Sequence, residues 1–287
     1  MTLLDGKKLS QQIKDEAKAQ ASELRASGIT PTLAVILVGD DAPSHTYVNA
    51  KAKACEYCGI KSLVYKLSAD TTQSELLALI NTLNFDDSVD GILVQLPLPA
   101  HINKATIIEA ISTHKDVDGF HPFNVGLLNT GFESGLLPCT PLGVIRLLKA
   151  YDINVESLNA VVIGASNIVG RPMATMLLNL GASVSVCHIK TRDLRFYTKE
   201  ADLIVVAAGC VNLLKADMVK EGVIVVDVGI NRLANGKLVG DVDFDNVRKK
   251  ASFISPVPGG VGAMTIAMLM ANTIKATLAH RNLREKG

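Results

Sequence analysis

The chain has 287 residues, of which 48% are apolar and 20% are charged, and its formal net charge is +1. That length suffices for two domains or one large α/β unit, and the near-neutral charge gives no global field that favours nucleic acid. Charges occupy the N-terminal segment and no 18 consecutive residues are apolar, so we expect a cytoplasmic protein with no membrane association.

Short runs rich in valine and isoleucine alternate with segments of helical periodicity. The predicted helices cover 7–27, 44–58, 72–84, 103–112, 141–150, 168–179 and 262–282. The predicted strands are Thr32–Gly39, Lys61–Leu67, Gly91–Gln95, Ala160–Gly164, Ser183–Cys187, Leu203–Ala207 and Val223–Asp227. This alternation is typical of parallel sheets with helices on both faces, so the sequence predicts an α/β fold. The segment 115–140 is rich in Gly and Pro without clear periodicity, and we expect a linker or functional loop with a domain boundary near 138.

The segment Ser44–Lys51 predicts the first turns of a helix that carries a phenol and an amine. Tyr47 and Lys51 are four residues apart and so share a helix face. A tyrosine beside a partly desolvated lysine is a plausible proton-handling pair. The alternative is an amphipathic surface helix with a buried tyrosine and a solvated lysine.

Five cysteines are spread thinly along the chain. Cys55 and Cys58 have the spacing of redox and metal sites, but no second pair follows and both fall inside the predicted helix 44–58. An odd number of cysteines fits a reducing compartment. We therefore expect structural thiols and no metal site.

A glycine-rich turn follows the predicted strand Ala160–Gly164. Gly164, Ala165 and Ser166 open the run Gly-Ala-Ser-Asn-Ile-Val-Gly, which leads into the predicted helix 168–179. A strand, a glycine-rich turn and a helix N-terminus together offer backbone N–H groups to a pyrophosphate. The match to G-x-G-x-x-G is imperfect, because Ser166 replaces the second glycine.

The end of the next predicted strand bears on the choice of dinucleotide. NAD-selective folds place an acidic residue there for the ribose diol. This chain has Lys190 and Arg192, with no acid before Asp193. Basic side chains suit a ribose 2′-phosphate, which favours NADP. The alternative is a solvated loop with incidental positive charge.

Two later segments are further candidates for ligand contact. Gly229 and Ile230 follow the last predicted strand, and open α/β sheets bind ligands beyond the carboxyl ends of their strands; the alternative is an ordinary strand-exit turn. A second loop allows close approach of main chain to a ligand and lacks the ending of a P-loop. Its residues are Pro258, Gly259, Gly260, Val261 and Gly262.

Seven short segments form an ordered set of motifs. They are Val38-Gly39-Asp40 with Ser44, Tyr47-x-x-x-Lys51-x-Lys53-Ala54, Gly91–Pro99, Lys115–Pro122, Pro138–Gly143, Gly164–Gly170 and Pro258–Gly262. In this order and spacing they resemble the methylenetetrahydrofolate dehydrogenase/methenyltetrahydrofolate cyclohydrolase family, over nearly the whole chain.

The resemblance implies a bifunctional NADP-dependent enzyme of one-carbon folate metabolism, a homodimer. Such enzymes oxidise 5,10-methylenetetrahydrofolate and hydrolyse the methenyl product to 10-formyltetrahydrofolate in the same cleft. We expect two domains, each with a mostly parallel sheet flanked by helices and with the cleft between them. These are a folate-binding catalytic domain, 1–138, and a Rossmann-like NADP-binding domain, 139–287, whose last helix packs back on the first domain.

The resemblance also implies roles for individual residues. Lys51 is the catalytic lysine, Tyr47 and Gln95 are its neighbours, and Asp118 anchors the pterin ring. The remaining folate contacts are Leu96 and the loop Pro258–Gly262, and the NADP contacts are Gly164, Ala165, Ser166, Lys190, Arg192, Gly229 and Ile230. Without the family match, Asp118 reads as a turn-forming residue before Gly119.

Two residues depart from the family pattern. Ala263 stands where the family usually has Pro, and Ile189 where some members have Ser or Arg, so the NADP prediction depends on Lys190 and Arg192.

Two other classes compete with this interpretation. Short-chain dehydrogenases also use Tyr-x-x-x-Lys, but there the pair follows the nucleotide motif, whereas Tyr47 precedes Gly164 here. An NADP-binding regulatory protein without catalysis is the other class. The joint presence of Lys51, Gln95 and Asp118 argues against it.

Overall fold

The structure, a computed structural model, describes residues 1–132 and 134–284. Its helices are α1 (Gly6–Ala26), α2 (Ala42–Cys58), α3 (Gln73–Phe85), α4 (Lys104–Ala110), α5 (Pro122–Asn129), α6 (Cys139–Ala150), α7 (Gly170–Asn179), α8 (Leu194–Thr198), α9 (Phe244–Val247) and α10 (Val261–Arg284). Its strands are β1 (Thr2–Leu3), β2 (Thr32–Val38), β3 (Lys61–Leu67), β4 (Gly91–Val94), β5 (Asn159–Ile163), β6 (Ser183–Cys187), β7 (Leu203–Val206), β8 (Ile224–Asp227), β9 (Asn231–Arg232), β10 (Leu238–Val239) and β11 (Phe253–Ile254). Every predicted helix and strand is confirmed within a few residues.

The chain divides into two compact units, named here by their sheets. The large-sheet unit consists of Met1–Ser10 and Thr140–Thr265. The small-sheet unit consists of Gln11–Cys139 and the described chain from Ile266 onward. Pairing of β1 with β11 explains why the first residues belong to the large-sheet unit. The domain bounds 1–138 and 139–287 stay a prediction.

The small-sheet unit is built on three parallel strands in the order β3-β2-β4. All seven residues of β2 are buried, as expected for a central parallel strand covered on both faces. Helices α3 and α4 cover one face, where Ile36, Ile80, Ile92 and Ile107 are fully buried.

Helix α2 of this unit has well-defined ends. The Asp41 carboxylate accepts a hydrogen bond from the Ser44 N–H at 2.9 Å and so caps the N-terminus. Gly59 ends the helix in the left-handed conformation, with φ of 73°. These two caps fix the start and stop of the helix that carries Tyr47 and Lys51.

The large-sheet unit contains six parallel strands in the order β1-β11-β8-β7-β5-β6. Strand β5 lies between β6 and β7. The strand order therefore reverses at β5, with β6 added on one side and β7 and β8 on the other. Ligands bind at such a switch point in Rossmann-like sheets, beyond the carboxyl ends of the strands. A separate antiparallel pair, β9 and β10, is the exception to the parallel pattern.

The sequence predicts a continuous loop over residues 115–140. This prediction is wrong, because the segment contains α5. This helix begins with Pro122 in its first turn, and the His121 Nδ1 atom accepts a hydrogen bond from the Phe123 N–H at 3.0 Å. Eight residues give too little periodicity for α5 to be predicted from sequence.

One helix among the described residues is long and apolar enough to cross a bilayer. It is the Val261–His280 part of α10, with a mean hydropathy of 1.3 in a window that is 61% buried inside the protein. Burial of this kind is typical of the core helix of a globular protein, so the helix is weak evidence for a membrane span.

Candidate active site

Lys51 lies on α2 with its side chain buried, only 8% exposed. Its Nζ donates a hydrogen bond to Gln95 Oε1 at 2.9 Å. The Gln95 Nε2 in turn donates to the Leu96 carbonyl at 2.7 Å, which fixes the amide. Tyr47, one turn earlier on α2, is 38% exposed. The surface-helix alternative required a solvated lysine and a buried tyrosine, and the structure has the reverse.

Asp118 belongs to the same group of side chains. It lines one small, largely apolar pocket together with Leu96 and Phe120. Burial raises the pKa of the Asp118 carboxyl, and the charge of Lys51 opposes that rise. No described residue donates a hydrogen bond to this carboxylate. A desolvated acceptor without an internal partner is well suited to charge-assisted hydrogen bonds from a ligand.

The backbone that carries Asp118 can be formed only with glycine at the next position. Gly119 has φ of +71°, in the left-handed region, and a Cβ there would overlap the Leu137 carbonyl group. The turn-forming role of Asp118, considered as an alternative, is therefore carried largely by Gly119.

Asp116, which the sequence analysis did not single out, secures the other flank of this turn. Its carboxylate accepts hydrogen bonds from the Phe120 N–H at 3.2 Å, the His121 N–H at 2.8 Å and the Asn124 Nδ2 at 2.9 Å. Burial raises the pKa of Asp116 to about 7, these hydrogen bonds oppose the rise, and the nearby charge of Asp118 adds to it.

This raised pKa predicts an unusual pH dependence of stability. The pKa of Asp116 in the folded protein exceeds the ordinary value of 3.8, so the folded state favours the protonated carboxyl. The contribution of Asp116 to the free energy of unfolding is therefore full below about pH 4 and is lost as pH rises through about 7. We expect the advantage of the wild type over Asp116→Asn, measured by urea unfolding, to shrink by roughly 2–4 kcal/mol between pH 4 and pH 8. An advantage that stays constant over this range contradicts the assignment.

In the large-sheet unit, the glycine-rich turn after β5 is tightly constrained. The Gly164 N–H donates to the Cys187 carbonyl at 2.8 Å, its φ is +122°, and a Cβ would overlap the Ala207 carbonyl. The Ser166 Oγ accepts hydrogen bonds from the N–H groups of Val169 and Gly170 at 3.2 and 3.4 Å. Ser166 thus occupies two N–H groups at the start of α7, whose N-cap residue is Val169, and this contact favours a serine in place of the second glycine.

The residues around this turn fit a dinucleotide phosphate. Among the described residues, no acceptor pairs with the N–H groups of Asn167 and Ile168, which lie in the turn just before Val169 and α7. Lys190 and Arg192 are exposed in the turn after β6, and within the described chain neither has an acidic partner. The Thr191 Oγ1 accepts from the His188 N–H at 2.9 Å and holds this turn. Phosphate oxygens accept hydrogen bonds from cations and N–H groups of this kind.

Two buried carboxylates, also missed by the sequence analysis, organise the loops after β7 and β8. Asp241 accepts hydrogen bonds from the N–H groups of three consecutive residues, Ala208–Cys210, at 2.7–2.9 Å. Asp227 accepts one from the Gly229 N–H at 3.0 Å, and burial raises the pKa of Asp227 to about 6. Gly229 is buried against Asp241, whereas Ile230 is 44% exposed. Of the two predicted contact residues here, Ile230 is therefore the one with a side chain exposed to solvent.

The loop before α10 is partly internal. The Lys7 N–H donates to the Gly259 carbonyl at 3.0 Å, and Gly259 has φ of +114°. Gly260 and Val261 are buried, while Pro258 is exposed. The exposed part of this predicted folate-lining loop is thus its proline end.

The paired cysteines are buried, free thiols. Desolvation raises the pKa of Cys55 to about 12 and that of Cys58 to about 11, so both resist forming the reactive thiolate. Over residues 1–132 and 134–284, no group of three or more His, Cys, Asp or Glu side chains is placed to hold a metal ion.

Comparison with known proteins confirms the resemblance inferred from the motifs. Residues 4–118 match the family model for the tetrahydrofolate dehydrogenase/cyclohydrolase catalytic domain, and residues 138–281 match that for its NAD(P)-binding domain. The chain is 72% identical over 276 residues to the bifunctional protein FolD of Campylobacter jejuni strain RM1221, covering 96% of this chain and 98% of that protein.

Solved structures are similar over the same extent. The bifunctional FolD enzyme of Campylobacter jejuni superposes with a TM-score of 0.96 at 71% identity, covering 97% of this chain and 99% of that one. The Trypanosoma brucei enzyme, complexed with NADP and an inhibitor, gives a TM-score of 0.94 at 36% identity, covering 99% of each chain. By two family models and by full-length similarity, this chain belongs to the tetrahydrofolate dehydrogenase/cyclohydrolase family.

Proposed function

We propose that this chain oxidises 5,10-methylenetetrahydrofolate to the 5,10-methenyl form with NADP and hydrolyses that product to 10-formyltetrahydrofolate in the same active site. Family membership supports the pair of reactions. The observation that carries the residue assignment is the buried Lys51 amine, held by Gln95 at 2.9 Å and interacting electrostatically with Asp118.

The oxidation step depends mainly on positioning. The carbon that loses hydride is flanked by two nitrogens whose lone pairs delocalise the resulting cation. Acid–base assistance is therefore a small part of this step, and correct placement of the substrate is the larger part. When bound, NADP supplies the hydride acceptor.

The hydrolytic step needs a proton carrier. A water molecule adds to the methenyl carbon and loses a proton, and a ring nitrogen gains a proton as its bond to that carbon breaks. One amine that alternates between its neutral and protonated forms can perform both transfers. Two observations support Lys51 in this role: Gln95 orients its Nζ, and burial limits competing solvent.

Asp118 is proposed to anchor the pterin. The aminopyrimidinone edge presents paired N–H donors, which match a carboxylate in bidentate geometry. The absence of an internal donor to Asp118 among the described residues supports this role. Tyr47 is exposed enough to stack on the substrate or donate a hydrogen bond to it. Leu96, in the same pocket as Asp118, adds apolar contact.

The cofactor assignment depends on two basic residues. We assign the 2′-phosphate of NADP to Lys190 and Arg192, the pyrophosphate to the Gly164–Ser166 turn with the N–H groups that follow it, and the nicotinamide side to Gly229 and Ile230. Both cations are exposed and have no acidic partner in the part of the chain that the structure describes, which supports NADP over NAD. The solved Trypanosoma brucei relative is complexed with NADP.

Several broader assignments complete the proposal. We infer a homodimer in the cytoplasm that supplies one-carbon units, as for purine biosynthesis. Exposed apolar side chains support a protein partner of the large-sheet unit, because Val186 on the edge strand β6 is 42% exposed and Phe196 on α8 is 78% exposed.

A spectrophotometric assay of purified protein tests the proposed function. We expect formation of the methenyl product with NADP, followed by its hydrolysis. Binding of NADP without any turnover of methylenetetrahydrofolate contradicts the proposal and favours the regulatory alternative.

A further inference from the structure

Asn272 is a buried amide in the middle of α10, and the reaction described above makes no direct use of it. Its side chain is 3% exposed, and it follows the apolar run Ile266–Ala271. Asparagine is a poor helix former, and burial of its amide is unfavourable unless hydrogen bonds compensate. The partners of this amide therefore indicate what it does.

The Nδ2 atom of Asn272 joins two stretches of main chain. It donates to the Val117 carbonyl at 2.8 Å and to the Leu137 carbonyl at 2.8 Å. It also lies 3.5 Å from Cys139 Sγ, whose thiol donates to the same Val117 carbonyl at 3.3 Å. All four residues belong to the small-sheet unit.

Both stretches flank the residue that holds the pterin. Val117 directly precedes Asp118, and the carbonyl group of Leu137 is the surface against which Gly119 packs without room for a Cβ. Because no described residue hydrogen-bonds the Asp118 carboxylate, the direction of that side chain is set mainly by its own backbone. Asn272 hydrogen-bonds the backbone on both sides of this contact, through the carbonyl groups of Val117 and Leu137.

We propose that Asn272 is a positioning residue for folate binding, acting through Asp118. The inference depends on the proposed anchor role of Asp118. Asn272 holds the Val117 carbonyl and so keeps the adjacent carboxylate aimed at the substrate. Its loss therefore weakens tetrahydrofolate binding without affecting the cofactor.

A double-mutant cycle separates this role from simple stabilisation. The dissociation constant of tetrahydrofolate is measured by calorimetry for the wild type, Asn272→Leu, Asp118→Asn and the double variant. We expect about tenfold weaker binding for Asn272→Leu, and at most about twofold further weakening when it is added to Asp118→Asn. The KM for NADP stays unchanged.

A matched control comes from the same helix. Thr273 is fully buried, but among the residues described by the structure its hydroxyl donates to the Leu269 carbonyl of its own helix and to no other group. Thr273→Val removes that bond at constant shape, and we expect tetrahydrofolate affinity to be retained. If Asn272→Leu does not fold, Asn272→Ser, which keeps one donor, is expected to weaken binding several-fold with the same lack of additivity.

The possible outcomes distinguish the two proposals. The positioning role is overturned if the folded Asn272 variant binds tetrahydrofolate with unchanged affinity. It is also overturned if the fold-change in the dissociation constant of the double variant equals the product of the two single fold-changes. Unchanged affinity in Asp118→Asn instead overturns the anchor role on which the proposed function rests.

Discussion

Lys51→Met is expected to lower the rate of 5,10-methenyltetrahydrofolate hydrolysis by at least about 100-fold, the usual contribution of a positioned proton carrier. Methionine keeps much of the length and volume of the buried side chain but can neither accept nor donate the proton. Oxidation of the methylene substrate should fall by less than about tenfold, because that step depends on positioning. Absorbance of the methenyl product and of NADPH in one reaction measures both rates.

The same substitution at Lys53 provides the control. Lys53 lies on α2 two positions after Lys51 but is exposed to solvent. Lys53→Met should retain both activities, since it removes a solvated charge from the same helix. Hydrolysis at the wild-type rate in Lys51→Met would assign the proton transfer to another group.

The double substitution Lys190→Ser with Arg192→Ser is expected to raise the KM for NADP by about 100-fold, since each hydrogen bond between a cation and a phosphate contributes about 1.5–3 kcal/mol. The KM for NAD should change by less than about threefold, because NAD lacks the 2′-phosphate. Initial rates at saturating methylenetetrahydrofolate, with each cofactor varied in turn, give both constants.

A nearby cation tests whether position or charge alone matters. Lys199 is exposed in the same unit, at the end of α8. Lys199→Ser changes the net charge without removing either predicted phosphate contact, so the ratio of the two KM values should be retained. Equal increases for NADP and NAD in the double variant would refute the 2′-phosphate assignment.

The large elements were predictable because their patterns are local. Strand β2 is apolar after Thr32, and the glycine-rich turn Gly164–Val169 lies directly between β5 and α7. The short strands β1 and β11 were not predictable, since each has two residues and is defined by pairing with distant segments. Thr2 and Leu3 pair with Phe253 and Ile254, which in turn pair with Ile224 and Val225 of β8. No window of sequence contains both partners.

In the candidate site, too, residues within local motifs were predictable, whereas residues whose role depends on the fold were not. Lys51, Gln95 and Asp118 were identified from motifs, and the structure brings the first two into contact and the third into electrostatic range. Asp116 and Asn272 were missed, because they act on backbone groups whose positions depend on the fold. A lone asparagine directly after the apolar run Ile266–Ala271 is the sequence signal from which Asn272 could have been identified.

The position of bound folate decides whether Lys51 is the proton carrier of the hydrolytic step. In a crystal structure with a tetrahydrofolate analogue, we expect Lys51 Nζ to lie within roughly 3–5 Å of the one-carbon unit or its flanking nitrogens, a distance that allows direct or water-mediated proton transfer. We also expect the Asp118 carboxylate to accept hydrogen bonds from the pterin. A folate whose one-carbon unit lies beyond the reach of that amine would rule out Lys51 as the proton carrier.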